Sequence, residues 1–463
     1  MSKVMRCPYC GLLQDEPQGV KACSRCGGPL EFEIQPPKPT YVQVQMELDQ
    51  VAAPANSNVE RYLLVTIRTP KEVPPDEAAS TESGRPPISF SAVLDASGSM
   101  QGEKIEQAKT AVQQAVQYLR AGDVFSLVTF AQEVRCPCEP SRVDGKTYDA
   151  VKKALGKIAA GGMTALCGGL EAGIEKATAH RQDTNLVMLL SDGQANVGET
   201  DLERIGNRAY QARQQGSIVS CLGIGLDYNE ALMAEIATQG GGRFYHLTSA
   251  RQIPAYLAGE LGEVAMLAAR DVKIHLDVPQ GATLIPLSAA FPVQQAGGKA
   301  VVSVGDVPCD TDLEIPLRLA LLAQSAGATL SIEGTLAFRT PAGRAIERPV
   351  NRVTVRFVAQ GAFQMREGVV LPVAERVFAQ MKPAGVLGVA RTLATRPQEA
   401  ARQAETLMAR LLAYATLLGE GRAEREMGEI EEQFSSLTDS PAASKRTTYE
   451  AYSRIRASKD YGH

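Results

Sequence analysis

At 463 residues the chain is long enough for about three domains of ordinary size. Its 44% hydrophobic and 22% charged residues describe a globular protein, and a net charge of −4 marks neither a general nucleic-acid binder nor a membrane-surface binder. No apolar run reaches about 18 residues and the opening MSKVMRCPYC has no apolar leader core, so neither a membrane span nor a secretion route is expected.

The first element is a pair of C-x-x-C knuckles, Cys7 with Cys10 and Cys23 with Cys26. Each knuckle points two thiolates at one ion, and four sulfurs suit tetrahedral Zn2+. Gly11 and Gly27 follow the knuckles, where the chain turns sharply. Paired redox or disulfide motifs are the alternative reading. Residues 1–33 resemble the short zinc ribbons at the ends of many bacterial and archaeal multidomain proteins. Lys3, Arg6, Lys21 and Arg25 cancel Asp15, Glu16, Glu31 and Glu33, so phosphate-backbone binding gains no electrostatic support. A protein-docking or purely structural role fits better, because so short a segment builds no core without a metal. The other cysteines, Cys136, Cys138, Cys167, Cys221 and Cys309, are scattered like free thiols, which points to a reducing, cytoplasmic setting.

Two strand-like runs, YVQVQMEL and RYLLVTIRT, occupy residues 38–72, and a polar stretch follows. From residue 87 to 265 short apolar runs alternate with helical patterns. Strands are expected at 88–94, 124–130, 185–190, 217–225 and 243–247. Helices are expected around 105–119, 148–158, 168–178, 202–216, 230–238 and 252–267. Cys136-Pro137-Cys138 reads as a loop. This alternation implies a mostly parallel sheet covered on both faces, with ligands bound beyond the carboxyl ends of the strands where the winding reverses. In a six-strand doubly wound order the first and fourth strands meet there. The strands at 88–94 and 185–190, taken as that pair, run into Asp95 and Asp192, and Thr164 lies in a glycine-rich loop just upstream of the second.

Asp95, Ser97, Ser99, Thr164 and Asp192 form an all-oxygen donor set, which suits Mg2+, Mn2+ or Ca2+ rather than zinc. Taken singly, Asp95 to Ser99 reads as a helix cap, Thr164 as another cap and Asp192-Gly193 as a turn. Together they resemble the metal-ion-dependent adhesion site (MIDAS) of von Willebrand factor A (vWA) domains, D-x-S-x-S…T…D, with all five positions matched. GGMTAL, LLSDG and IATQGGGRFYHL also look like the family's surroundings. The resemblance covers about 87–265. It implies that Ser97, Ser99 and Thr164 contact the ion, that Asp95 and Asp192 do so directly or through water, and that the role is binding rather than catalysis. A metal-assisted hydrolase is the rival class, but none of His180, His246, His275 and His463 falls in a site motif.

Residues 268–358 show the alternating runs and Gly/Pro turns of a β-sandwich. With 38–72 they suggest one discontinuous sandwich carrying the vWA domain as an insertion, similar to integrin β subunits. Residues 362–463 read as helices, with an acidic stretch at 424–432 and an exposed tail from Lys445. Two uses attach to this end. The acidic stretch could ligate the metal of another copy, and Thr447 and Thr448 could be phosphorylated. The bland reading is a solvated face and a frayed end. The fold class expected is multidomain α/β plus β: a Rossmann-like doubly wound domain inserted in a β-sandwich, an N-terminal zinc ribbon and a C-terminal helical region. The function expected is a metal-dependent adaptor for a partner's Asp or Glu. Intracellular relatives of this kind work beside MoxR-type AAA+ ATPases or kinase and phosphatase systems. Nucleic-acid binding through the ribbon is the third class.

Overall fold

A computed structural model of the chain describes residues 4–6, 13–15, 39–77, 87–192, 195–225, 228–247, 250–419 and 421–456. The chain divides into two compact units, Met1–Pro39 and Thr40–His463. In the first, β1 (Val4–Arg6) and β2 (Leu13–Asp15) pair antiparallel. The four cysteines expected to hold zinc, Cys7, Cys10, Cys23 and Cys26, lie outside the described residues.

The second unit opens with β3 (Gln43–Leu48), β4 (Ala52–Pro54) and β5 (Val59–Arg68). An α/β series follows: β6 (Ile88–Asp95), α1 (Glu103–Tyr118), β7 (Val124–Phe130), β8 (Val134–Arg142), α2 (Thr147–Leu155), α3 (Leu166–Ala179), β9 (Thr184–Ser191), α4 (Leu202–Gln214), β10 (Ser217–Ile224), α5 (Glu230–Gln239), β11 (Gly241–Leu247) and α6 (Ile253–Ala265). Its six strands lie in the order β11-β10-β9-β6-β7-β8, all neighbours parallel except β7 and β8. Every residue of β6, β7 and β9 is buried, because helices cover both faces of the sheet. The strand period of two divides their side chains between the faces. Phe90, Ala92 and Leu94 pack with α1 and α6, while Val93 packs with α3, α4 and α5.

The chain then returns to antiparallel sheet: β12 (Leu267–Asp277), β13 (Ala282–Pro286), β14 (Val293–Ala296), β15 (Lys299–Pro308), β16 (Asp312–Leu321), β17 (Thr329–Arg339) and β18 (Ala345–Val358). One sheet runs β14-β15-β12-β17-β18-β4 and the other β13-β16-β5-β3. Their facing side chains form a single apolar cluster, from Leu63, Val65 and Ile67 on β5 to Ile274 and Leu276 on β12. The opposite face of β5 presents Tyr62 and Leu64 to a second cluster, built with α7 (Leu371–Thr395), α8 (Pro397–Leu418), α9 (Arg422–Asp439) and α10 (Pro441–Arg456). The smaller sheet therefore lies between the larger sheet and the helices.

Two expectations are corrected here. Cys136-Pro137-Cys138 is part of β8, not a loop. It is an exposed antiparallel edge strand, where proline is tolerated because no further strand needs its missing N–H. That exposure also removes the apolar alternation by which a strand is recognised. Residues 445–456 are not an exposed tail, since α10 buries Lys445, Thr448, Ala451, Tyr452 and Ile455. Thr448 has no exposed surface, whereas Thr447 is half-buried and shares a hydrogen bond with Ser436 (2.7 Å). Part of the acidic stretch is likewise committed, with Glu426 and Glu429 on α9 both paired to Lys382 on α7.

Candidate metal centre

Asp95 is the last residue of β6, and the backbone N–H of Ala96 still bonds to the Phe130 carbonyl at the end of β7 (2.7 Å). The chain then breaks away into one turn of 3-10 helix, Gly98–Met100. Asp95 is fully buried. Its Oδ1 accepts from the Ser97 amide (2.8 Å) and its Oδ2 from the Ser191 hydroxyl (2.5 Å). Ser97 and Ser99 lie on alternate residues, with their Oγ atoms 3.1 Å apart. Ser99 Oγ donates across the sheet edge to Asp192 Oδ1 (2.7 Å). Asp192 follows the end of β9, is fully buried, and takes the Lys104 ammonium on Oδ2.

Thr164 belongs to the loop between α2 and α3, and backbone bonds seat that loop on the first. The Gly161 amide donates to the Ala96 carbonyl (2.8 Å) and the Gly98 amide to the Gly162 carbonyl (3.0 Å). The approach is close. A Cβ on Gly98 would lie 3.4 Å from the Gly162 oxygen, and Gly162 itself has φ +82°, which favours glycine. Thr164 is 3% exposed. Its amide donates to Asn196 Oδ1 (2.7 Å), while the Asn196 amide returns a bond to the Thr164 carbonyl (3.1 Å). Asn196 thus ties the threonine loop to the segment after Asp192.

The structure brings Asp95, Ser97, Ser99 and Asp192 into one hydrogen-bonded chain of oxygens and fixes the Thr164 loop against it. Burial raises the Asp95 carboxyl above its usual range and Asp192 raises it further, against hydrogen bonds from Ser191 and Ser97 that lower it. Two buried carboxylates with three hydroxyls constitute a hard, anionic donor set, and its chemistry fits a small divalent cation. Among the described residues no cluster of three or more His, Cys, Asp or Glu is placed to hold a metal ion. His246 lies on β11, two strands from β9, with its Nδ1 2.6 Å from the Tyr228 hydroxyl. Ser191, Lys104 and Asn196 were not singled out from the sequence. Their only signal is nearness in sequence, Ser191 abutting Asp192, Asn196 four residues beyond it, and Lys104 nine after Asp95.

Comparison with known proteins agrees with this geometry. The family model of the von Willebrand factor type A domain matches residues 91–258. This segment is a vWA domain. Outside it the likeness is in fold. A von Willebrand factor type A structure from Catenulispora acidiphila superposes with TM-score 0.62 at 18% identity, over 85% of this chain and 90% of that one. The ArnB paralog VWA2 from Sulfolobus acidocaldarius superposes with TM-score 0.55 at 20% identity, over 90% of this chain and 99% of that one. By sequence, the uncharacterized protein YfbK of Escherichia coli (strain K12) is 28% identical over 244 residues, 52% of this chain and 40% of that protein. The match thus spans less than half the length of YfbK. In the vWA domain the doubly wound order sets β6 beside β9, which puts Asp95 and Asp192 on one edge.

Proposed function

We propose that the chain is a metal-ion-dependent protein-binding adaptor. Asp95, Ser97, Ser99, Thr164 and Asp192 hold a divalent cation, Mg2+ in preference to Mn2+ or Ca2+, and a partner's Asp or Glu carboxylate completes its coordination. The observation that carries this reading is the hydrogen-bonded run from Asp95 through Ser97 and Ser99 to Asp192, with the Thr164 loop seated on it by two backbone bonds. Neutral hydroxyls leave the cation part of its charge, so an incoming carboxylate is attracted rather than excluded. The protein side of the work is binding and orientation: Ser191 and the Ser97 amide fix the Asp95 carboxylate, and Ser99 fixes Asp192.

The same reading extends to the rest of the chain. Cys7, Cys10, Cys23 and Cys26 hold structural Zn2+ in a docking ribbon, supported by their C-x-x-C spacing. The two sheets outside the vWA domain act as a sandwich that carries it between β5 and β12. The protein works in the cytoplasm as a non-enzyme, beside a MoxR-type AAA+ ATPase or a kinase and phosphatase system. The test is affinity capture from the host lysate in Mg2+, comparing wild type with Asp95→Ala. A mutant is used because a chelator would also strip zinc. A partner held by wild type and lost by the variant is the expected result; identical captures would remove the metal edge as the recognition surface.

A further inference from the structure

A groove of about 1020 Å3 opens beside the metal edge. It starts at Ala96, Gly161 and Gly162, the backbone that joins the two metal loops, and runs between β8 and α2 past Arg135, Lys153 and Lys157. Lys153 and Lys157 are exposed, and among the described residues neither has an ion-pair partner. Arg135 is balanced by Glu133 at 2.9 Å, so the groove carries two uncompensated positive charges. Met163, between the groove-lining Gly162 and Thr164, is itself exposed (48%).

We infer that this groove seats an extended acidic segment of the partner protein, whose leading carboxylate meets the metal edge and whose following acidic side chains meet Lys153 and Lys157. The inference rests on the metal-dependent reading above and adds the partner's chemistry to it. Chain length sets the spacing. Lys157 and Gly161 are four positions apart, a span of at most about 14 Å even when fully extended. A partner strand of similar length therefore bridges the metal edge and the lysines with acids placed roughly three to five residues after the leading one. A chain with net charge −4 keeps positive charge here, which favours an anionic partner locally.

The probe is a fluorescein-labelled peptide with one aspartate followed, three to five positions later, by three glutamates. Its binding to the full chain is read by fluorescence polarisation in Mg2+. Lys153→Glu with Lys157→Glu should weaken binding at least tenfold, and so should glutamine in place of the three glutamates. Mg2+ affinity by calorimetry and the melting temperature should stay unchanged in the double variant, since both lysines are exposed and outside the metal set. Equal binding by the double variant, or no binding to wild type, overturns the groove while leaving the metal reading intact. Undiminished binding by Asp95→Ala overturns the role of the leading carboxylate and the metal reading with it. Tighter binding of a single-stranded oligonucleotide of equal charge overturns the choice of a protein partner.

Discussion

Asp192 illustrates how much of the metal edge is decided one residue at a time. Its Oδ1 takes the Ser99 hydroxyl and its Oδ2 takes the Lys104 ammonium, so a cation from the protein already leans on a carboxylate that a divalent ion would share. Lys104 would therefore compete with a bound ion for charge. Lys104→Met keeps the apolar stem and removes the ammonium, and should raise Mg2+ affinity roughly tenfold, the scale of one charge-assisted bond to a buried carboxylate. Calorimetric titration checks this; weaker Mg2+ binding would instead make Lys104 the residue that orients Asp192. The five candidate positions stood out in the sequence because their chemistry is local: D-x-S-x-S states its own loop. Lys104 and Asn196 were not, because a lysine in the first turn of a helix and an asparagine in a polar loop are ordinary until the fold aims them.

At the level of elements, a buried polar link joins the smaller sheet to the helices behind it. Asp49, between β3 and β4, accepts from the Tyr62 amide on β5 (2.8 Å) and from the Tyr414 hydroxyl on α8 (3.0 Å). Burial pushes its carboxyl up from 3.8 to about 6, in spite of those bonds and the Arg61 charge. A raised folded-state value means that the contribution of Asp49 to stability is fully present below about pH 4 and is lost as pH rises through about 6. Asp49→Asn keeps both contacts without the charge, its amide donating to the Tyr414 oxygen. The variant should match wild type near pH 4 and exceed it above pH 7 by about 2–3 kcal/mol. Denaturant melts across that range test it; a constant difference at all pH values would contradict the assignment. Nothing in the sequence around Asp49 announces this pairing, since Tyr414 is 365 residues away.

Across the whole molecule, α10 ties the end of the described chain to the vWA domain. The Tyr452 hydroxyl donates to the Gly242 carbonyl (2.6 Å) and its ring meets Phe244 edge-on at 6.0 Å, both on β11. The Arg456 guanidinium donates to the Gly241 carbonyl, while Ser444 and Lys445 bond to Glu230 at the start of α5. Tyr452→Ala should cost about 3–5 kcal/mol, as for other fully buried aromatics. Hydrogen exchange should speed up in α10 and β11 while β9, in the centre of the sheet, stays protected. A loss below about 1 kcal/mol, or uniform deprotection, would show that α10 does not anchor the domain.

The vWA domain could be read in advance because its strands are covered on both faces. Burial there demands continuous apolar runs such as NLVMLL, and Asp95 and Asp192 sit at the ends of two of them. Where one side of an element is open, that signal is lost. β8 hides two prolines and two cysteines at an exposed edge, and α10 carries so many polar residues that it reads as a tail. Its few apolar positions become informative only once β11, α5 and α7 stand opposite them. The residue types of the candidate site and the alternation of strands with helices were set by the sequence itself, since they depend on residue type and on period along the chain. The tertiary structure alone decided which polar groups would be buried together, Lys104 with Asp192 and Asp49 with Tyr414, because such pairings depend on approach between segments that share no local signal.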